Sequence, residues 1–402
     1  MNKPPFLGTK KVGLAVLVLA AYGAPAAAGD GDAFHPFVGL GYSHDDNLLR
    51  LPDGASLAGQ RGDSMRQAMA GLLFDRTYSL QELYFQGKVT RVRFSHFDQL
   101  DYDGKDVVGR WKWQLGREWS GTLEGDYSQT LAPYTDFHSD ERNLRTERRA
   151  FAEAMWRFTP SWRVRGALTQ DKFTYDLALQ KFNDRTEKLA EFGIDHLARS
   201  GNYAGLVLRR LKGEFPNKRV FGATAIDEDF DQDELKARVS WRYSGLTQLD
   251  VLAGWAKRKH AFFTERDASG ANGRVTLIYT PSGKTKLTGA AWREFAALES
   301  KVASYSLNKG ASLAAAYEAT GKTRIDASYS YEKRNYAARI NSPVALDFSD
   351  SLKTASVGVN HAATRHVQLN LTAYRQTRGG SAALGLGSFK AKGVSFSANL
   401  QF

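Results

Sequence analysis

The chain has 402 residues, a formal net charge of +12, 55 Lys and Arg against 43 Asp and Glu, and no cysteine. A cysteine-free chain excludes a disulfide framework. No segment after the first thirty residues is apolar for the ~20 residues that a membrane helix needs, although a mean hydropathy of −0.43 is also what a barrel gives when its lipid-facing residues simply alternate with polar ones.

In chain order, the first element is a targeting segment. Lys3, Lys10 and Lys11 precede the short apolar run VGLAVLVLAA, and small residues at Ala26 and Ala28 set a cleavage point after Ala28. Residues 1–28 read as a secretory signal peptide, too short in its apolar core for an anchor helix. Residues 29–402 then form one domain, with three fewer positive charges than the whole chain.

That domain reads as a succession of strands with one apolar and one polar face. In GRWKWQL, Trp111, Trp113 and Leu115 oppose Arg110, Lys112 and Gln114. In ELKARVSWRY, Leu235, Ala237, Val239 and Trp241 oppose Lys236, Arg238, Ser240 and Arg242. About eighteen such segments are predicted, at 37–43, 66–76, 83–95, 105–115, 118–130, 147–158, 162–174, 187–197, 202–212, 233–243, 247–259, 273–280, 285–295, 304–317, 323–334, 352–362, 366–376 and 391–402. ELYFQG (Glu82 to Gly87), which resembles a protease site of expression tags, falls inside one of them and reads as native strand.

The connections alternate in length. FTPSWR, LARSGNY, YTPSGKT and EATGKTR are short. SHDDNLLRLPDGASLAGQRGDS, APYTDFHSDERNLR, FPNKRVFGATAIDEDFDQ, ARINSPVALDFSD and TRGGSAALGLGSF are long. Short turns at one end and long loops at the other predict an all-β transmembrane barrel of the bacterial outer membrane, with periplasmic turns and extracellular loops. Phe158, Trp162, Tyr203, Tyr243, Tyr279 and Tyr317, beside the short turns, are expected to form its lower aromatic girdle. A soluble β-sandwich has neither this strand number nor this asymmetry. The last segment, VSFSANLQF, puts Val394, Phe396, Leu400 and Phe402 on one parity. A closed barrel must pair its last strand with its first, and a terminal Phe in such a strand looks like the signal read by the outer-membrane assembly machinery.

On the polar parity, Arg110, Lys112, Arg149, Arg157, Arg163, Arg165, Lys236, Arg238, Arg242, Arg274 and Arg324 are expected to face the lumen, joined by Glu153, Asp326 and Glu332. Cations thus dominate the expected lining, and rings of Arg and Lys select anions or saccharides. Export and barrel patterning exclude nucleic acid, the usual partner of a basic chain.

No cofactor and no metal site is expected. IDEDFDQDE offers Asp227, Asp229, Asp231 and Asp233, but without the glycine and spacing of an EF-hand, and it reads as a solvated acidic loop. The chain is not expected to be an enzyme. Of eight histidines only His44, beside Asp45 and Asp46, approaches a catalytic pattern, and no nucleophile motif accompanies it.

GYSHDDNLLRLPD (Gly41 to Asp53) resembles the opening of the exosortase-associated exopolysaccharide biosynthesis outer-membrane protein EpsL family, within a porin-like β-barrel group. Asp45, Asp46, Asn47 and Arg50 match that opening. The resemblance implies a barrel that exports or guides an exopolysaccharide through a basic lumen, with no catalytic residues. The expected partners are outer-membrane lipid and lipopolysaccharide, the polysaccharide, the barrel-assembly machinery and a periplasmic export partner. The alternatives are a general anion- or sugar-permeable porin, with FPNKRVFGATAIDEDFDQ as its constriction loop, and a non-conducting barrel with an assembly or surface role.

Overall fold

Alternation of apolar and polar residues decides the architecture: one face of every strand meets lipid and the other meets the lumen. The computed structural model describes residues 33–402 apart from 58, 136, 222–223, 263, 265–266, 298–302, 339–348 and 381–386. The segment expected to be a signal peptide and much of two predicted long loops, ARINSPVALDFSD and TRGGSAALGLGSF, lie outside the described residues.

The wall is built from β1 (Phe34–Asp45), β2 (Asp63–Tyr78), β3 (Gln81–Phe94), β4 (Tyr102–Leu115), β5 (Trp119–Leu131), β6 (Leu144–Thr159), β7 (Trp162–Tyr175), β8 (Arg185–Leu197) and β9 (Tyr203–Glu214). A small hairpin, β10 (Arg219–Phe221) and β11 (Thr224–Ile226), stands in the next loop. The wall continues with β12 (Phe230–Arg242), β13 (Thr247–His260), β14 (Ala268–Ser282), β15 (Thr285–Ala297), β16 (Ala303–Thr320), β17 (Thr323–Ala338), β18 (Ser349–Ala362), β19 (Val367–Gly380) and β20 (Phe389–Gln401).

These 18 strands form one sheet, each antiparallel to its neighbours in sequence, and β9 pairs with β12 across the small hairpin. β1 pairs with β2 on one side and with β20 on the other, Phe37 opposite Gln401 through Asp45 opposite Gly393. The sheet therefore closes, with no edge left for lipid to meet. Every predicted segment is found. Most strands run a few residues further at the loop end, where both faces meet water and alternation no longer marks them.

The outer face is apolar and exposed, with Leu40 at 68% and Leu313 at 59% of full accessibility. Trp111, Trp119, Trp156, Trp162, Tyr243, Tyr279 and Tyr317 project outward beside the short turns, as an interfacial aromatic belt does. A closed barrel with this exterior is an outer-membrane barrel, crossing the bilayer with strands. Its buried apolar clusters sit at the long-loop end, where loops pack on one another.

Candidate functional site: the lumen and its constriction

Inward residues of neighbouring strands lie side by side, so their charges meet across the ladder. From β6 to β14 they form a continuous row. Arg165 of β7 donates to Glu153 of β6 and to Glu191 of β8, the latter at 3.2 Å. Arg209 of β9 donates to Glu191 at 2.6 Å and to Glu234 of β12. Lys236 ends the row, 2.9 Å from Glu234 and 2.7 Å from Asn272 Oδ1 of β14. Nearly every member has an opposite charge beside it, the condition under which such groups are tolerated away from bulk water.

A second group lies nearer the periplasmic end. Arg163 donates to Asp195 Oδ2 from Nε at 3.1 Å and Nη2 at 2.6 Å, and Arg238 approaches the same oxygen at 3.5 Å. Both guanidiniums lie over the ring of Tyr203, 5.1 and 4.9 Å from its centre. Tyr203 is thus in the lumen rather than in the outer girdle. It begins β9 on the inward parity, opposite Ser240. The Asp195 carboxylate, 1% exposed, fits because position 205 is glycine: a Cβ there would collide with Asp195 Oδ1. Two guanidiniums share one carboxylate, which leaves a positive charge over. Arg157 and Arg242, exposed at the same mouth, form no ion pair among the described residues.

All eleven cations singled out from the sequence occupy the inward parity, and nine of them meet an acid. Besides those above, Arg110 pairs with Glu124, Lys112 with Glu82 at 3.0 Å, Arg149 with Asp171 at 3.3 Å, Arg274 with Glu294 at 2.8 Å and Arg324 with Asp326 at 2.6 Å. The expectation that cations dominate the lining is corrected accordingly. Glu124, Asp171, Glu191, Asp195, Glu234 and Glu294 stand on the same face, and inward acids are about as numerous as inward cations. A strand read alone shows its arginines; the field depends on what the next strand sets against them.

The upper lumen is narrowed from within. The β5–β6 loop, described at 132–135 and 137–143, turns inward. Leu131 and Tyr134 pack with Leu48 and Leu49 of the β1–β2 loop and with Phe97 and Leu100 of the β3–β4 loop. Arg378, on β19, donates to the carbonyl of Thr135, and His138 Nδ1 donates to the carbonyl of Leu49 at 2.9 Å. A loop rooted between β5 and β6 reaches β19 only by passing inside β20 and β1 to β4. Arg378 and Arg334 converge on Asp350 at 2.5 and 2.6 Å, where the Tyr336 hydroxyl also donates, at 2.5 Å.

The segment expected to form the constriction, FPNKRVFGATAIDEDFDQ, does something else. Lys218 ties it back on itself, 2.5 Å from Asp227 and 3.0 Å from Asp229. Asn217 donates to the Lys181 carbonyl at 2.8 Å and to Asp184 at 3.0 Å, anchoring the segment on the β7–β8 loop. The acids of IDEDFDQDE, which overlaps its end, do not converge. Asp231 and Asp233 face outward toward Arg210, whereas Glu234 faces the lumen.

Sequence reasoning missed Arg258, which is buried in the upper wall. Its guanidinium lies 3.9 Å from the centre of the Phe230 ring, 5.3 Å from Tyr305 and 5.5 Å from Phe295, and Nε donates to Gln232 at 2.7 Å. Alternation marks Arg258 as inward, but its aromatic cage comes from three other strands. His44 points outward to the Ser64 hydroxyl at 3.0 Å, while Asp45 and Asp46 turn away from it.

The Asp-Asp-Asn opening is a clasp over the barrel seam. Arg50 donates to Asp45 at 2.7 Å and to Gln376 of β19 at 2.9 Å, and the Tyr374 hydroxyl donates to Asp45. Asn47 bonds the Leu51 amide at 2.8 Å and the carbonyls of Leu51 and Lys390 at 2.9 Å. Asp46 accepts from the Lys392 amide at 2.6 Å. Arg50 adopts φ +55°, a left-handed conformation that costs a non-glycine residue about 1 kcal/mol, and this network holds it there. Burial pulls against the Arg50 charge, but Asp45 and Tyr374 outweigh it and hold the guanidinium protonated more firmly than usual.

No family model matches the chain, and no curated protein sequence matches it. Among solved structures it is similar to OpdK of Pseudomonas aeruginosa crystallised with vanillate, at 8% identity over 92% of this chain and 99% of that one, with a TM-score of 0.47. It is also similar to Pseudomonas aeruginosa OccK9 (OpdG), at 10% identity, 92% and 98% coverage and a TM-score of 0.49. A BenF-like porin from Pseudomonas fluorescens Pf-5 gives 10% identity, 92% and 99% coverage and a TM-score of 0.48. These structures are outer-membrane porins, not members of an exopolysaccharide-biosynthesis family, and the EpsL resemblance is overturned. The residues that carried it, Asp45, Asp46, Asn47 and Arg50, are those of the clasp. A barrel of any cargo has a seam to close.

Proposed function

We propose that this barrel is a diffusive porin for small polar solutes, with a modest preference for anions. The observation that carries the reading is the β5–β6 loop, held across the upper lumen by Arg378 and by the apolar cluster around Leu49 and Leu100. A constriction of this kind suits solutes of sugar size and obstructs a sliding polymer, so exopolysaccharide export is not retained.

The preference for anions rests on the periplasmic mouth. There Arg157, Arg163, Arg238 and Arg242 stand against Asp195 and Asp250, and the low-dielectric wall focuses the surplus on the pore. Of the eleven lumen cations, Arg163 and Arg238 are the pair we assign to direct contact with solute carboxylates, since guanidinium binds them in a fork. Elsewhere the ion pairs serve the wall: a polar lining without a strong field lets solutes leave as easily as they arrive.

Swelling of liposomes that contain the refolded barrel tests the reading, with sugars of increasing size as solutes and the reversal potential measured in a salt gradient. We expect mono- and disaccharides to permeate, longer oligosaccharides to be excluded, and a small anion preference. A barrel that passes neither ions nor monosaccharides would be non-conducting, and the proposal would fall.

A further inference from the structure

The outer face of β15 to β20 carries a belt of cations that the lumen does not explain. Arg293 of β15, Lys309 of β16 and Lys333 of β17 are direct cross-strand partners, Arg293 opposite Lys309 and Lys309 opposite Lys333. Lys353 of β18, Arg375 of β19 and Lys392 of β20 continue the belt, with Arg375 opposite Lys392. Apart from the half-buried Arg293, all are exposed. Like charges placed directly opposite one another destabilise a sheet, so this arrangement calls for a counter-charge.

The strands of the belt do not supply one; the nearest acid, Asp46 of the β1–β2 loop, takes the Lys392 main-chain amide at the edge of the flank. No acid occupies an outward position on these strands among the described residues. Arg293 reaches the Ala271 carbonyl, and Lys353 lies 5.9 Å from the centre of the Tyr331 ring. None of the six forms an ion pair among the described residues. Elsewhere on the same exterior several outward cations meet an acid: Arg91 meets Asp103 at 3.3 Å, Lys188 meets Glu214 at 2.9 Å and Arg210 meets Asp231 at 3.6 Å.

Height identifies the missing partner. Lys333 lies about ten residues above the periplasmic start of β17. At about 3.3 Å per residue and about 40° of tilt that is roughly 25 Å, the height of the apolar band. Below the belt the outward residues are apolar, among them Leu313, Tyr329, Val357, Leu371 and Phe396. The cations therefore stand at the level of the outer-leaflet headgroups. We propose that this face binds the phosphates of an outer-leaflet phosphorylated glycolipid, with Arg293, Lys309 and Lys333 as its centre and Lys353, Arg375 and Lys392 as its flank. The inference is independent of what passes through the lumen.

The test is binding of a bisphosphorylated glycolipid of the lipid A type to the detergent-refolded barrel, followed by native mass spectrometry. Its dephosphorylated form and phosphatidylglycerol serve as the other arms. The expected result is retention of the bisphosphorylated lipid, weakened by salt, and lost by roughly tenfold or more in the triple variant Lys309→Gln, Lys333→Gln, Arg375→Gln. The double variant Arg91→Gln, Arg210→Gln, which touches only paired cations, should bind as the parent does. Equal binding of the dephosphorylated lipid would overturn the proposal on the unmodified protein, whether or not the triple variant refolds. Equally tight phosphatidylglycerol binding would overturn it too, as would undiminished binding by a folded triple variant.

Discussion

Arg378 of β19 donates a hydrogen bond to the main-chain carbonyl of Thr135, a residue of the loop between β5 and β6. The two belong to separate arcs of the barrel, and their contact lies inside the wall. Arg378 also holds Asp350 together with Arg334. It is thus fixed from its own side of the barrel before it holds the loop.

Replacement of residues 133–142 by a short glycine linker is therefore expected to raise single-channel conductance about twofold or more, because the loop no longer occupies the lumen. Arg378→Met should raise it less and add current noise: the apolar cluster around Leu49 and Leu100 still holds the loop root, while the tip is released. Planar-bilayer recording reads both. An unaltered conductance in the loop-deleted barrel would mean that the pore is narrowed elsewhere.

The seam clasp predicts a stability effect without a permeability effect. Arg50→Ala leaves the Asp45 carboxylate buried beside Tyr374 with its cation gone. Loss of one partner from a buried pair costs about 3–5 kcal/mol. Tyr374→Phe keeps the Asp45–Arg50 bridge and removes two hydrogen bonds, the one donated to Asp45 and the one accepted from Arg50 at 3.3 Å, each worth about 1 kcal/mol. The temperature at which the folded band disappears on a detergent gel should fall clearly for the first and slightly for the second, with conductance of the surviving barrels unchanged.

Strand number, closure and the facing of each lumen cation were legible because period 2 is local: Arg163 shows its face through Trp162 and Val164 alone. What sets the charge of the lumen is not local. Asp195 meets Arg163 and Arg238 only once the registers of β7 with β8 and of β9 with β12 are fixed. The inward loop is not legible for a related reason. Length and acidity made 215–232 conspicuous, whereas the loop that turns inward does so on Leu131 and Tyr134, whose partners Leu48, Leu49, Phe97 and Leu100 come from two other loops. Tyr203 reads as a girdle residue from its proximity to a short turn, but its own parity turns it inward.

Selectivity offers a test with a sign. Arg238→Gln removes a lumen cation while Arg163 still binds both of its donors to Asp195, so no buried charge is orphaned. The reversal potential in a salt gradient should move toward cation selectivity. Asp195→Asn should move it the other way, since it releases two guanidiniums to the solute. Shifts of the same sign in both variants would remove this cluster from the anion pathway.

The β10–β11 hairpin should respond to pH at both extremes. Burial favours the neutral form of Asp227, but the Lys218 ammonium and the Asp229 amide outweigh it and hold its pKa below the ordinary carboxylate range. Burial likewise opposes the Lys218 charge, and Asp227 with Asp229 overcomes it, raising that pKa. A depressed acid stabilises above its unfolded pKa of about 4 and stops doing so as pH falls through the folded value. A raised amine stabilises below its unfolded pKa of about 10.4 and stops as pH rises through the folded value. The hairpin is expected to stay tied between these limits and to loosen outside them. Spin-label mobility at Ala225→Cys, exposed on β11, would report it, and Lys218→Met should abolish the dependence at both ends.

The last residue separates folding from recognition. Phe402 is 62% exposed, and what ties it to the barrel is its amide, which donates to the Pro36 carbonyl at 2.9 Å. The ring buries too little area against protein to stabilise the fold by more than about 1 kcal/mol. Phe402→Ala should accordingly refold in detergent with an almost unchanged unfolding temperature. If the terminal aromatic is read by the assembly machinery, the same variant expressed in cells should accumulate unfolded in the periplasm, with much less barrel in the outer membrane. Equal yields in the membrane would assign Phe402 to the seam alone, and a large loss of stability in detergent would show that the ring packs more tightly than its exposure implies.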